Sequence, residues 1–100
     1  MTVYKNHNQI EPSRVIVDGI HVKKYQKEPP PLGAIHSEYG LNIFKKNIIN
    51  RIDEKVFPIS RYFDILAAKE ELLAYPINKR FYEIGCPEGI ADLEKLLKNK

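Results

Sequence analysis

The chain has little cysteine. Cys86 stands alone, so an intramolecular disulfide is impossible, and no CxxC pair exists to start a zinc site. The three histidines, His7, His21 and His36, include no pair at the i, i+4 spacing of a helical metal site. Nothing local supports a Cys–His nucleophile at Cys86. Long apolar runs are absent too: none approaches the ~18 residues of a membrane span. The five glycines are isolated, which excludes a glycine-rich phosphate loop within these residues. Charge of one sign is scarcely in excess: sixteen Lys and Arg face thirteen Asp and Glu, for a net +3. The basic residues are spread along the chain from Lys5 to Lys100, whereas a nucleic-acid surface concentrates them on one stripe. They read as solvated surface. The N-terminal "MTVYKNHNQI" is too polar for a signal peptide. The expectation is a cytoplasmic protein in a reducing compartment, with neither nucleic acid nor membrane as partner.

What is present describes one small domain. One hundred residues, 43% of them apolar, suit a single domain over 1–100 with a thin stability margin. No internal repeat or linker divides it. Thr2 to Lys5 alternates β-formers and reads as a strand, and "NHNQIEPS" reads as loop. "RVIVDGIHVKKY" predicts a hairpin of strands at 14–17 and 20–25, closed by a type I′ turn at Asp18-Gly19. "QKEPPPLG" is a stiff connector, because three prolines remove donors and hold the chain extended. A strand follows over 36–44, interrupted by Gly40.

"KKNIINRI" predicts a short helix with Ile48, Ile49 and Ile52 on one side, and "DEKVF" a loop. Pro58 suits a first helical turn. Behind it Ile59, Tyr62, Phe63, Leu66 and Ala67 keep helical spacing over 58–70. "LLAYPI" reads as a strand whose Pro76 asks for an edge, and "RFYEI" as a last short strand. Gly85-Cys86-Pro87 then turns the chain. Pro87 suits the first position of a final helix, with Cys86 at its N-cap and Glu88 on the positive end of the dipole. Ile90, Leu93, Leu96 and Leu97 give that helix a stripe expected to be buried. Strands mixed with about three helices predict a mixed α/β or α+β fold.

Two polar clusters are candidates for chemistry. Gln26-Lys27-Glu28 ends the hairpin, with Glu38-Tyr39-Gly40 soon after. Lys is a suitable point charge for phosphate, and a tyrosine beside a glycine can flank a sugar ring. Glu83 sits at a strand end before a helix N-terminus, where ligands of α/β sheets gather. A carboxylate there can hold Mg²⁺, which takes one or two protein carboxylates and completes its shell with phosphate and water.

Four segments, in order, resemble the C-terminal part of bacterial sugar-1-phosphate nucleotidyltransferases, nearest the mannose-1-phosphate or heptose-1-phosphate guanylyltransferase branch. They are "MTVYKN" with "PSRVIVDG", "VKKYQKEPPP", "SEYGLNIFKKNII" and "YPINKRFYEIGCPEGIADLEKLL". The last is the most specific, and together they span nearly the whole chain. The resemblance implies part of a glycosyltransferase-A-like three-layer sandwich. It implies that Lys27 contacts a sugar phosphate, with Gln26 where an acidic sugar contact is usual. Glu38, Tyr39 and Gly40 match the sugar-side strand, and Glu83 a ligand of catalytic Mg²⁺. The family reaction is attack of a sugar-1-phosphate oxygen on the α-phosphate of a nucleoside triphosphate, releasing pyrophosphate. Three departures stand out: Gln26 lacks a carboxylate, Glu38 is longer than the usual aspartate, and Arg14 replaces an asparagine. The family's nucleotide loop and first metal aspartate belong to an N-terminal half with no counterpart in these residues. The expectation is a chain inactive alone that binds Mg²⁺ weakly or not at all. The alternatives are half of a split enzyme, completed by a nucleotide-binding half, and a self-associating interaction module.

Overall fold

The computed structural model describes residues 1–53, 55–56 and 58–100. Its elements are β1 (Thr2–Lys5), β2 (Val15–Asp18), β3 (His21–Tyr25), β4 (His36–Glu38), α1 (Lys46–Ile49), α2 (Ile59–Ala68), β5 (Tyr75–Pro76) and α3 (Pro87–Lys98). This is the expected mixed α+β fold. The five strands form one sheet in the order β3-β2-β4-β1-β5. All pairings are antiparallel except β1 with β5. Pro76 has the edge it needs. The amides of Tyr75 and Ile77 donate to the carbonyls of Met1 and Val3 at 2.8 Å each, so the residue between them turns its backbone nitrogen away and no donor is lost.

The core lies between one sheet face and α2. Val3, Val15 and Val22 are fully enclosed, and Tyr62, Phe63, Leu66 and Ala67 meet them from the helix. Phe63 packs edge-on against Tyr25 at 5.3 Å and stacks on Phe44 at 6.1 Å. The Tyr62 hydroxyl donates to the Ile48 carbonyl at 2.5 Å and so ties α2 to α1. Side chains alternate along a strand, so Tyr4 faces away from Val3. On that second face Asn6, Ser13 and Ser37 are buried. Asn6 links them as a hub: the two hydrogens of its Nδ2 go to the Glu11 carbonyl (2.6 Å) and Ser37 Oγ (3.0 Å), with Ser13 Oγ 3.4 Å away and bonded by the Asn8 amide at 3.0 Å, while its Oδ1 accepts from the Ile10 amide. A buried polar network of this kind is stable only when its members are paired.

Several expectations need correction. The hairpin loop is Gly19-Ile20, since Asp18 pairs with His21. Only Gly19 has positive φ, +61°, which is the type II′ pattern in place of type I′. The strand expected over 36–44 ends at Glu38, because Gly40 takes φ +92° and turns the chain out of the ladder. "RFYEI" forms no strand: it runs without a ladder partner, held by side chains. Pro58 is the N-cap of α2, one position before the helix, and Ile59 is half exposed. In α1, Ile48 packs on the core together with Ile52 from the following turn, whereas Ile49 is exposed. Cys86 occupies the N-cap of α3 but makes no cap bond; its thiol points back to the Glu83 carbonyl at 3.8 Å. The largest departure is the α3 stripe. Ile90 is 52% exposed and Leu97 59%, and the residues α3 turns toward the Tyr4 side of the sheet are Glu88, Gly89 and Asp92 instead. Of the loop expected over 53–57, Glu54 and Phe57 lie outside the described residues.

Candidate functional site

Two acidic tripeptides build the site by the same local device. In Glu38-Tyr39-Gly40, Glu38 Oε1 accepts the Gly40 amide at 2.7 Å. In Glu83-Ile84-Gly85, Glu83 Oε1 accepts the Gly85 amide at 2.7 Å. Each carboxylate thus pins its own turn and is fixed in place. Asn42 Nδ2 adds a 2.8 Å bond to Glu38 Oε1.

The two turns meet through aromatic rings. Phe81 sits between Tyr4 and Tyr39, edge-on to both at 5.8 Å. Such pairs add about 0.5–1.5 kcal/mol beyond area burial. Arg80 lies over the Tyr82 ring at 4.2 Å and reaches Asp92 of α3 at 3.4 Å, so the helix and the segment are clipped together. Gly89 lets them touch. A β-carbon there would land on the Glu83 carbonyl oxygen, so only glycine allows the approach.

Together these elements enclose a cavity of about 320 Å³. Lys27, Glu38, Tyr39, Gly40 and Glu83 all line it. Five of the six residues expected from the sequence therefore converge, from the β3 exit, the β4 exit and the segment before α3. Gln26 does not. It opens onto a neighbouring hollow toward α2, with Tyr25, Pro58 and Asp64.

Part of the lining was not expected from the sequence. Glu11, Tyr25, Phe81 and Tyr82 face the same cavity, as does Arg14, which stands in place of an asparagine. Burial pushes the Glu11 carboxyl above its usual range, against the pull of Arg14; Glu83 and then Glu38 push the same way, and the Ser37 hydroxyl opposes them. Burial likewise raises the Tyr25 phenol, with Glu38 adding to it. The acid–Pro-Ser–base spacing of "EPSR" was the available signal, yet nothing local says that this loop folds over the end of β3.

Comparison with known proteins gives no match: no family model, no curated protein and no solved structure aligns with the chain. Among the described residues no helix is long and apolar enough to cross a membrane.

For magnesium the fit is partial. Glu83 presents one carboxylate, with a second oxygen that accepts no hydrogen bond among the described residues. Among the described residues no three His, Cys, Asp or Glu side chains group in a way that could hold a metal ion. One carboxylate suits a magnesium ion whose other ligands are phosphate and water.

Proposed function

We propose that this chain binds a sugar 1-phosphate in the 320 Å³ cavity, as the sugar-side portion of a nucleotidyltransferase-like domain, and turns over no nucleotide by itself. One observation supports the reading above others. Residues named from separate segments of the resemblance (Lys27, Glu38 with Tyr39 and Gly40, and Glu83) line one cavity. The lining also suits the ligand chemically. Tyr39 and Tyr82 present apolar ring surface to a sugar, carboxylates accept its hydroxyl hydrogens, and Lys27 offers a point charge to phosphate.

Phosphoryl transfer depends on positioning and charge neutralisation. Magnesium held at Glu83 would supply the neutralisation. The nucleotide side has no candidate here, since the glycines are isolated and form no phosphate loop. Turnover therefore calls for a nucleotide-binding half beyond these residues.

Isothermal titration with mannose 1-phosphate, GTP and MgCl₂, beside a pyrophosphate-release assay, tests this. The expected result is heat with the sugar phosphate, none with GTP, and no pyrophosphate. Release of pyrophosphate by the purified chain would remove the inactivity; no binding of any sugar 1-phosphate would remove the reading itself.

A further inference from the structure

We propose that Arg14 is a phosphate-binding residue of this cavity, acting with Lys27, and that it sets the preference for phosphorylated over free sugars. The inference rests on the sugar-phosphate reading above and names its specificity residue. Arg14 and Lys27 are the two cations among the lining residues, against the carboxylates of Glu11, Glu38 and Glu83. A phosphate in the cavity finds its opposite charge only at that pair, beside Glu11, whose carboxylate it would have to displace from the guanidinium.

The two cations are built as a unit. Arg14 Nε donates to the Lys27 carbonyl at 3.0 Å, and the Gln26 amide donates to the Arg14 carbonyl at 3.2 Å. The Arg14 amide is anchored in turn on the His36 carbonyl at 3.0 Å. The side chain is 20% exposed. It is therefore held by backbone on two sides without being sealed off.

Its terminal nitrogens are underused. Nη1 makes a 3.4 Å bond to the Pro12 carbonyl. The carboxylates of Glu11, at 3.8 Å from Nη1, and Glu28, at 3.6 Å from Nη2, stand too far for hydrogen bonds. Nη2 donates no hydrogen bond among the described residues. A guanidinium is planar, always charged and shaped to bond two phosphate oxygens, while lysine supplies only a point charge. A phosphate arriving here gains short charge-assisted bonds that the two carboxylates do not make.

A structural strap joining residues 11, 27 and 28 is the competing role, and a ratio of affinities separates the two. Mannose 1-phosphate and free mannose are titrated into the whole chain, wild type beside Arg14→Gln and Arg14→Lys, by calorimetry and ligand-observed NMR. Arg14→Gln is expected to weaken mannose 1-phosphate by about tenfold or more, the size of a lost hydrogen bond to a charged group. Free mannose should be unaffected. Arg14→Lys should fall between, because it keeps the charge and loses the fork. Methylguanidinium should restore part of the loss in Arg14→Gln. Equal weakening of both ligands, or undiminished phosphate binding in Arg14→Gln, overturns the assignment and leaves the sugar-phosphate reading standing. If the wild type binds neither ligand, both fall together.

Discussion

Two regions of this molecule are held by different forces. The sheet and α2 meet through enclosed apolar surface, with Val3, Val15, Val22, Phe63 and Leu66 almost fully buried. The region from Arg80 to the C-terminus has no such core. In α3 only Gly89 is buried, and its apolar side chains stand largely in solvent. What holds it is specific: the Phe81 ring between two tyrosines, the Arg80 clip to Asp92 and Tyr82, and the glycine approach to Glu83. The first region sets whether the chain folds. The second sets whether Glu83 reaches the cavity. Stability and site assembly therefore separate along the chain, and substitutions can be chosen to affect one without the other.

The sharpest way to break that contrast is in the core. Phe63→Ala removes a ring packed on both Tyr25 and Phe44, and should cost about 3–5 kcal/mol in urea denaturation. Against a total of about 5–15 kcal/mol that is a large share of the stability. A loss below about 1 kcal/mol would show that the core is not where Phe63 says it is.

Gly89→Ala tests the other region. By propensity alone, alanine favours a helix interior by about 1 kcal/mol. The steric conflict with Glu83 should nonetheless dominate. Hydrogen exchange should speed up from 80 to 98 while the sheet amides keep their protection, and sugar-phosphate binding should fall. Uniform loss of protection would mean that the two regions are one cooperative unit.

A smaller effect comes from pH, on the sheet side. His36 Nδ1 is buried without a hydrogen-bond partner among the described residues, and burial lowers its pKa from 6.5, helped by Lys5 and His7. The folded form therefore binds fewer protons than the unfolded one. The stability this represents is present above pH 6.5, erodes as pH falls from there toward the lower folded value, and falls no further below it. The urea midpoint of the wild type should drop between pH 7.5 and 5.5 by more than that of His36→Gln. Parallel curves for the two proteins would discard this account.

The smallest effect is expected on α3. Leu97→Lys replaces a side chain that is 59% exposed and should shift stability by no more than about 0.5 kcal/mol. A cost above about 2 kcal/mol would mean that the stripe is covered in solution and that the contrast between the regions is overstated.

Much of the fold was legible locally. The β-branched runs around Gly19, the spacing of Tyr62, Phe63, Leu66 and Ala67, and Pro87 at a helix start each carry their own physics, and each appears in place. The failures share one cause. "RFYEI" has strand composition, but a strand exists only if a neighbour offers a ladder, and none does. The α3 stripe has helical periodicity, which predicts a face but not a partner for it. In the site, Glu38 and Glu83 were legible as candidates, though expected on strands and not in turns, and both line the cavity. Glu11 was not, because a loop residue's destination depends on how the chain returns. Here the Asn6 hub and the Ser13 and Ser37 hydroxyls decide it.

By itself, then, the sequence determined the local states: which segments extend, which coil, and where glycine or proline forces a turn. Those outcomes depend on backbone sterics and side-chain period within a few residues. Only the tertiary structure decided that Arg14 lies against Lys27, thirteen residues away, and that Glu83 shares a cavity with Glu38. It also left α3 without an apolar partner. Such pairings depend on long-range burial and on which polar groups remain to be satisfied, and no local pattern carries that information.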